Sequence, residues 1–290
     1  MDANAGIVLG VDTLCWHARI ESGRVGVREI VEIAARLGTG CVGINLHHLR
    51  DADLAEHRAI ARAAAERGMT VVASGDFVGS ACAGDSPSVG RDRVLHWLER
   101  AHALGSPYLR LASGFYRTDL AGRPDLIDAE RGYVTQVLRR SIDDARASGI
   151  RLLLENHSDF TADEYVRIVE DVGADELGVF LDLVNPVAAL ETPEPVVRRL
   201  APLAYAGHVK DYALRSLQAW DAYHRRGFEV LYRYPGEGVA DLPALVRTLR
   251  NGLRTERFFL TIEGLDNTLD DDQEPRLGRA LAHLRPLLES

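Results

Sequence analysis

The sequence predicts an α/β barrel of eight strand–helix units, a (β/α)8 fold, on three observations. Short apolar runs alternate with helix-length amphipathic segments along the 290 residues. Glycines stand just past several helical segments, at Gly38, Gly68, Gly105 and Gly149, where a left-handed residue commonly ends a helix. The runs are dense in Val, Ile and Leu, as expected of strands covered on both faces.

In chain order, Ile7–Leu14 leads to a helical pattern over Val27–Leu37. Cys41–Leu46 leads to Asp53–Arg67, Thr70–Phe77 to Arg91–Leu104, and Tyr108–Ser113 to Ala129–Ser148. Arg151–His157 leads to Thr161–Val172, and Gly178–Leu183 to Pro195–Leu200. Tyr205–Asp211 leads to Leu242–Arg250, and Phe258–Gly264 to the closing helix Pro275–Leu288. Eight such units suit one barrel domain over residues 1–290. A doubly wound open sheet is the rival, but the first strand ends GVDTLCWH, with no glycine-rich phosphate loop behind it.

Composition narrows the function classes. An apolar fraction of 46% and a charged fraction of 27% are those of an ordinary soluble protein. A net charge of -9 without any Lys/Arg cluster argues against a nucleic-acid partner. No run approaches the roughly 18 apolar residues of a membrane span. The opening MDANAG lacks a basic and an apolar segment, so no signal peptide is expected. Cys15, Cys41 and Cys82 form neither a disulfide framework nor a Cys-x-x-Cys site. A reduced cytoplasmic protein is the plain reading.

Four polar residues end four successive runs: Glu155 in LLLENH, Asp182 in GVFLDLVNP, His208 in YAGHVKDY and Glu263 in FFLTIEG. Neighbouring parallel strands bring such ends to one point, and three carboxylates with one imidazole are a ligand set for a divalent cation. Strand alternation turns His157 the same way as Glu155 and Lys210 the same way as His208. Lys210 is the one lysine among 34 basic residues, which favours a role that Arg cannot fill: binding a substrate oxygen or moving a proton. By the same parity with Asn45, His47 would face inward; the other reading of His47 and His48 is solvated loop histidines. Trp16 and His17 after the first strand, Asp76 after the third and Tyr116 after the fourth are pocket-lining candidates or simple loop packing. Arg110, inside an apolar run, calls for a salt bridge to a neighbouring strand.

An aromatic-rich insertion, Tyr212–Gly238, follows the seventh strand and is too long for an ordinary loop. It is read as a lid carrying Trp220 or Phe228 against substrate, or as packing on itself or on a second subunit of a homo-oligomer.

The motifs ENH, D-x-x-N, HVKD and IEG, in that order on strands five to eight, resemble the xylose-isomerase-like TIM-barrel superfamily. Within it they resemble the sugar-phosphate isomerase/epimerase branch, which includes ketose 3-epimerases and inosose dehydratases. PGEGVADLPALV, before the last strand, fits too, so the resemblance covers nearly the whole chain. It implies one divalent metal, Mn²⁺ ahead of Mg²⁺ or Co²⁺, on Glu155, Asp182, His208 and Glu263. It also implies a small carbohydrate, keto-sugar or cyclitol as substrate. In such enzymes the metal chelates adjacent carbonyl and hydroxyl oxygens and stabilises the enediolate left by proton abstraction. Glu155 and Glu263 would then serve as base and acid. Two departures concern substrate binding: Asn185 stands where many relatives carry a histidine, and Asn45 where the pattern has Glu.

The expected function is thus a metal-dependent isomerase or epimerase of carbohydrate metabolism. A lyase on the same scaffold is the alternative, by inosose- or dehydroshikimate-type dehydration or elimination from a 3-keto-glycoside, with His157 or Lys210 as the extra acid. An apurinic-site endonuclease would need more histidines and a surface that tolerates phosphates. A non-catalytic sugar-binding barrel would leave three buried acids repelling one another.

Overall fold

The structure, a computed structural model, describes residues 6–218, 227–264, 269 and 272–289. Its strands are β1 (Gly6–Asp12), β2 (Cys41–Asn45), β3 (Thr70–Phe77), β4 (Tyr108–Ala112), β5 (Arg151–Glu155), β6 (Leu177–Phe180), β7 (Ala204–Val209), β8 (Asp211–Ser216), β9 (Phe228–Arg233) and β10 (Arg257–Ile262). Strands β1 to β7 and β10 pair in parallel into a closed barrel, with β10 between β7 and β1. The helices are α1 (His17–Glu21), α2 (Val27–Arg36), α3 (Leu54–Ala65), α4 (Pro87–Ala103), α5 (Pro124–Ser148), α6 (Ala162–Val172), α7 (Pro193–Leu200), α8 (Leu242–Gly252) and α9 (Gln273–Glu289).

The helices form where sequence places an apolar stripe between stop signals. In α2, Val27, Ile30, Val31, Ile33 and Ala34 are buried, a 3.6-residue period facing the sheet. Helix α5 starts on Pro124 and stops at Gly149, whose φ of 69° a side chain would resist. None of the described helices is long and apolar enough to cross a membrane.

Several strands end earlier than the apolar runs suggest, and side chains are the cause. Asp12 accepts a hydrogen bond from Leu14 N at 2.8 Å, and Asn45 one from His47 N at 3.0 Å. Both turn the chain into short 3-10 segments, Thr13–Trp16 and Leu46–Leu49.

Cys41, Val72, Leu153, Phe180, Ala206 and Phe259 form a small apolar cluster separate from the strand–helix core. Leu153, Phe180, Ala206 and Phe259 stand two or four positions before Glu155, Asp182, His208 and Glu263, so they share their face and form the floor beneath them. The Phe180 ring meets His208 edge-on, with centroids 4.6 Å apart.

The insertion is an antiparallel hairpin of β8 and β9, in register from Asp211↔Arg233 to Ser216↔Phe228. Only Lys210 separates β7 from β8. Buried Asp211 accepts hydrogen bonds from Gly236 N (3.2 Å), Gly238 N (3.0 Å) and Ala240 N (2.9 Å), which closes the base of the hairpin. A Cβ at Gly238 would collide with that carboxylate, which accounts for the glycine in PGEGVA.

Candidate metal centre

Glu155, Asp182 and His208 are buried at the C-terminal ends of β5, β6 and β7, and each offers one donor atom within 4.8 Å of the other two. Glu263, just past β10, joins them: its Oε1 is 3.3 Å from His208 Nδ1. The same nitrogen is 3.1 Å from Glu155 Oε1 and 3.9 Å from Asp182 Oδ2.

Each ligand candidate is oriented by groups that use up its other atoms. Asp182 Oδ1 accepts from the amides of Val184 (2.7 Å) and Asn185 (2.8 Å), leaving Oδ2 to the centre. Asn156 grips the Asp182 backbone at two points, Nδ2 to O at 2.9 Å and Oδ1 from N at 2.7 Å. Glu155 Oε2 is held by Arg110, through Nε at 2.7 Å and through Nη2, which supplies the interstrand salt bridge that Arg110 requires.

Asp12 is the residue that sequence reading missed. Its carboxylate is fully buried, and Oδ2, without a hydrogen-bond partner, faces the equally orphaned His208 Nε2 at 3.5 Å. Gly43 lies beside Asp12 in register, and a Cβ there would overlap this carboxylate. Asp12 also turns the chain after β1, through its bond from Leu14 N.

On the outer side, Lys210 Nζ lies 2.7 Å from Asp182 Oδ2 and hydrogen-bonds Glu263 Oε2. The ring of Tyr232, from the hairpin, covers this ammonium at 4.7 Å, and the Tyr232 hydroxyl reaches Asn185 Oδ1 at 3.4 Å.

Charge partners outweigh burial at most of these groups. Burial opposes the charged form of Glu155, yet Arg110 and His208 hold it well below the usual carboxylate range. Burial likewise disfavours the imidazolium of His208, but Glu263, Asp12 and Glu155 push its pKa up to about 10. Glu263, despite its burial, is drawn down to about 2 by His208 and Lys210. Asp182 goes the other way: burial raises it, although Lys210 pulls it down.

The other sequence candidates scatter. His157 sits at the rim, edge-on to Phe77 with centroids 5.8 Å apart and tilted against Tyr116 at 5.6 Å. Trp16 is buried in the core. His47 is exposed, because β2 stops at Asn45 and strand alternation no longer governs it. Its neighbour His48 turns inward instead, with Nδ1 3.0 Å from Thr13 Oγ1. Trp220 lies outside the described residues, and Phe228 is exposed.

The donor set fits a divalent cation. Around His208 Nδ1, oxygens stand at 3.1, 3.3 and 3.9 Å. Bonds of about 2.1 Å at right angles give donor–donor edges of about 3.0 Å. With a metal bound, Nδ1 would be the coordinating nitrogen, and Nε2 facing Asp12 would carry the remaining proton.

Residues 31–287 match the family model for the xylose isomerase-like TIM barrel. A segment of 114 residues is 29% identical to 3-oxo-isoapionate decarboxylase from Pectobacterium atrosepticum, and it spans 39% of this chain and 40% of that protein. Among solved structures, a D-psicose 3-epimerase crystallised with D-fructose aligns with a TM-score of 0.75 at 19% identity, covering 98% of this chain and 100% of its own. An IolI protein carrying a zinc atom aligns at 0.72 and 14% identity, covering 97% and 98%. At such identities these two show a shared fold.

Proposed function

The chain belongs to the xylose isomerase-like TIM barrel family, and from that premise we propose a divalent-metal-dependent isomerase or epimerase of sugars, keto-sugars or cyclitols. The observation that carries this reading is the quartet Glu155, Asp182, His208 and Glu263 gathered around one imidazole nitrogen. Mn²⁺ suits three carboxylates and one imidazole, with Mg²⁺ or Co²⁺ as alternatives. Such an ion would polarise adjacent carbonyl and hydroxyl oxygens of a substrate and stabilise the enediolate formed beside it.

The protein groups divide the remaining work. Arg110 fixes Glu155 in place as a ligand. Glu263, ionised and 15% exposed, is the better placed of the two glutamates to take the proton next to the carbonyl. Lys210 shares that carboxylate and holds a positive charge where the substrate oxygens arrive. Tyr232 closes the pocket above it, with Asn185 as a substrate contact beside the ring.

A second reading places carbon–carbon or carbon–oxygen cleavage on this scaffold, and the decarboxylase named above supports it. Loss of carbon dioxide from a 3-keto acid leaves the same kind of enolate as loss of a proton. One screen separates the two. The Mn²⁺-loaded protein is incubated in deuterium oxide with a panel of keto-sugars, keto acids and cyclitols. Deuterium beside the carbonyl with substrate mass otherwise retained marks the isomerase; released carbon dioxide or water marks the lyase. Equal metal content in wild type and Asp182→Ala would falsify the metal reading itself.

A further inference from the structure

A second group of metal-binding side chains lies outside the quartet, and its chemistry differs. His17 and Glu21 stand one turn apart on α1, and His48 sits in the turn after β2; each offers a donor atom within 4.8 Å of the other two. His17 Nδ1 and His48 Nε2 face each other at 3.0 Å. Two nitrogens bound tetrahedrally at 2.0–2.1 Å are separated by about 3.3 Å, so the pair already stands within a few tenths of an ångström of that edge.

The surroundings prepare these donors. Thr13 Oγ1, tied to the backbone by Asn45 N at 2.9 Å, lies 3.0 Å from His48 Nδ1. With Nδ1–H donating to that hydroxyl, the lone pair of Nε2 points at His17, as metal-ligating histidines are commonly held. Burial lowers the pKa of His48 to about 4, which keeps the ring neutral at physiological pH. Arg50 binds Glu21 through both oxygens, at 2.8 and 2.9 Å, and fixes the carboxylate without using up its lone pairs.

We propose that His17, Glu21 and His48 form a second metal site, selective for Zn²⁺, at the mouth of the barrel beside β1 and β2. Two imidazoles and one carboxylate with a fourth position open are a zinc set, whereas the quartet, with three carboxylates, favours harder ions. Uptake displaces the proton shared between the two rings. The second site does not depend on the proposed reaction.

Equilibrium uptake of Zn²⁺ by chelator-stripped protein, read by elemental analysis after gel filtration, tests this. Two equivalents per chain are expected in wild type. Asp182→Ala should retain one, and His48→Gln one, while the double variant binds none. Stripped protein given Co²⁺ should show the intense visible absorption of a tetrahedral ion, and this should vanish in His48→Gln but persist in Asp182→Ala. His17→Ala, at a half-buried position, is the parallel variant should His48→Gln unfold, with thermal melting as the check. Zinc uptake that neither histidine substitution lowers by one equivalent overturns the proposal. Failure of the quartet reading looks different: Asp182→Ala would then bind as much zinc as wild type.

Discussion

The inner and outer halves of the quartet are built on the same strands yet held in different ways. On the inner side, Glu155 is 1% exposed, clamped by Arg110 from β4, and His208 is backed by Asp12 from β1. On the outer side, Glu263 is 15% exposed and held by Lys210, beneath a tyrosine from an excursion of the chain. Fixed partners suit an ion that stays, and a single movable ammonium suits a proton that comes and goes. On the function proposed above, two glutamates that look equivalent in a motif would divide into a fixed ligand and a ligand that also carries the proton.

The sharpest way to break that contrast is to neutralise each glutamate in turn. Glu263→Gln should lower turnover by about 10²–10⁴-fold, the usual contribution of a positioned base, while most of the metal stays bound. Glu155→Gln should instead show first as lost stability, because Arg110 keeps a buried charge without its anion, at a cost of about 3–5 kcal/mol. Thermal melts, metal content and turnover measured on both variants decide it. Identical profiles would erase the division into two halves.

A smaller effect sharpens the inner half. Asp12→Asn should weaken metal binding by about 10–100-fold, the range found when an outer partner of a ligating histidine is removed. Gly43→Ala should do the same with Asp12 intact, since the new methyl would push the carboxylate aside. Calorimetric titration with Mn²⁺ reads both, and unchanged affinity in both would return Asp12 to a turn former.

A last test leaves the chain intact and changes only the pH. Without metal, His208 holds its proton up to about pH 10, so at neutral pH the incoming ion must expel it. Affinity should rise about tenfold per pH unit and level off above about 10. Proton release counted in buffers of different ionisation heat checks this, and a flat affinity between about pH 6 and 8 would contradict it.

Much of the barrel is legible in the sequence because each strand–helix unit is a local statement: an apolar run, an amphipathic helix, a glycine stop. The convergence of Glu155, Asp182 and His208 follows from the same logic, since ends of neighbouring parallel strands must meet. Asp12 was hidden because its nearest chain neighbours already explain it, and only the closure of β1 against β10, the neighbour of β7, brings it to His208. Alternation fails at His47 because it is carried two residues past the end of β2, into a 3-10 turn, and the reading of a solvated loop histidine holds there. Asn156 and Asp211 act on backbone amides of distant segments, which no motif spacing reveals.

Lys210 is the whole connection between a barrel strand and the hairpin above the site. A hinge made of one residue has no slack: any tilt of the hairpin must rotate the backbone that carries the ammonium. The posture of the hairpin and the position of a positive charge are therefore one mechanical coordinate.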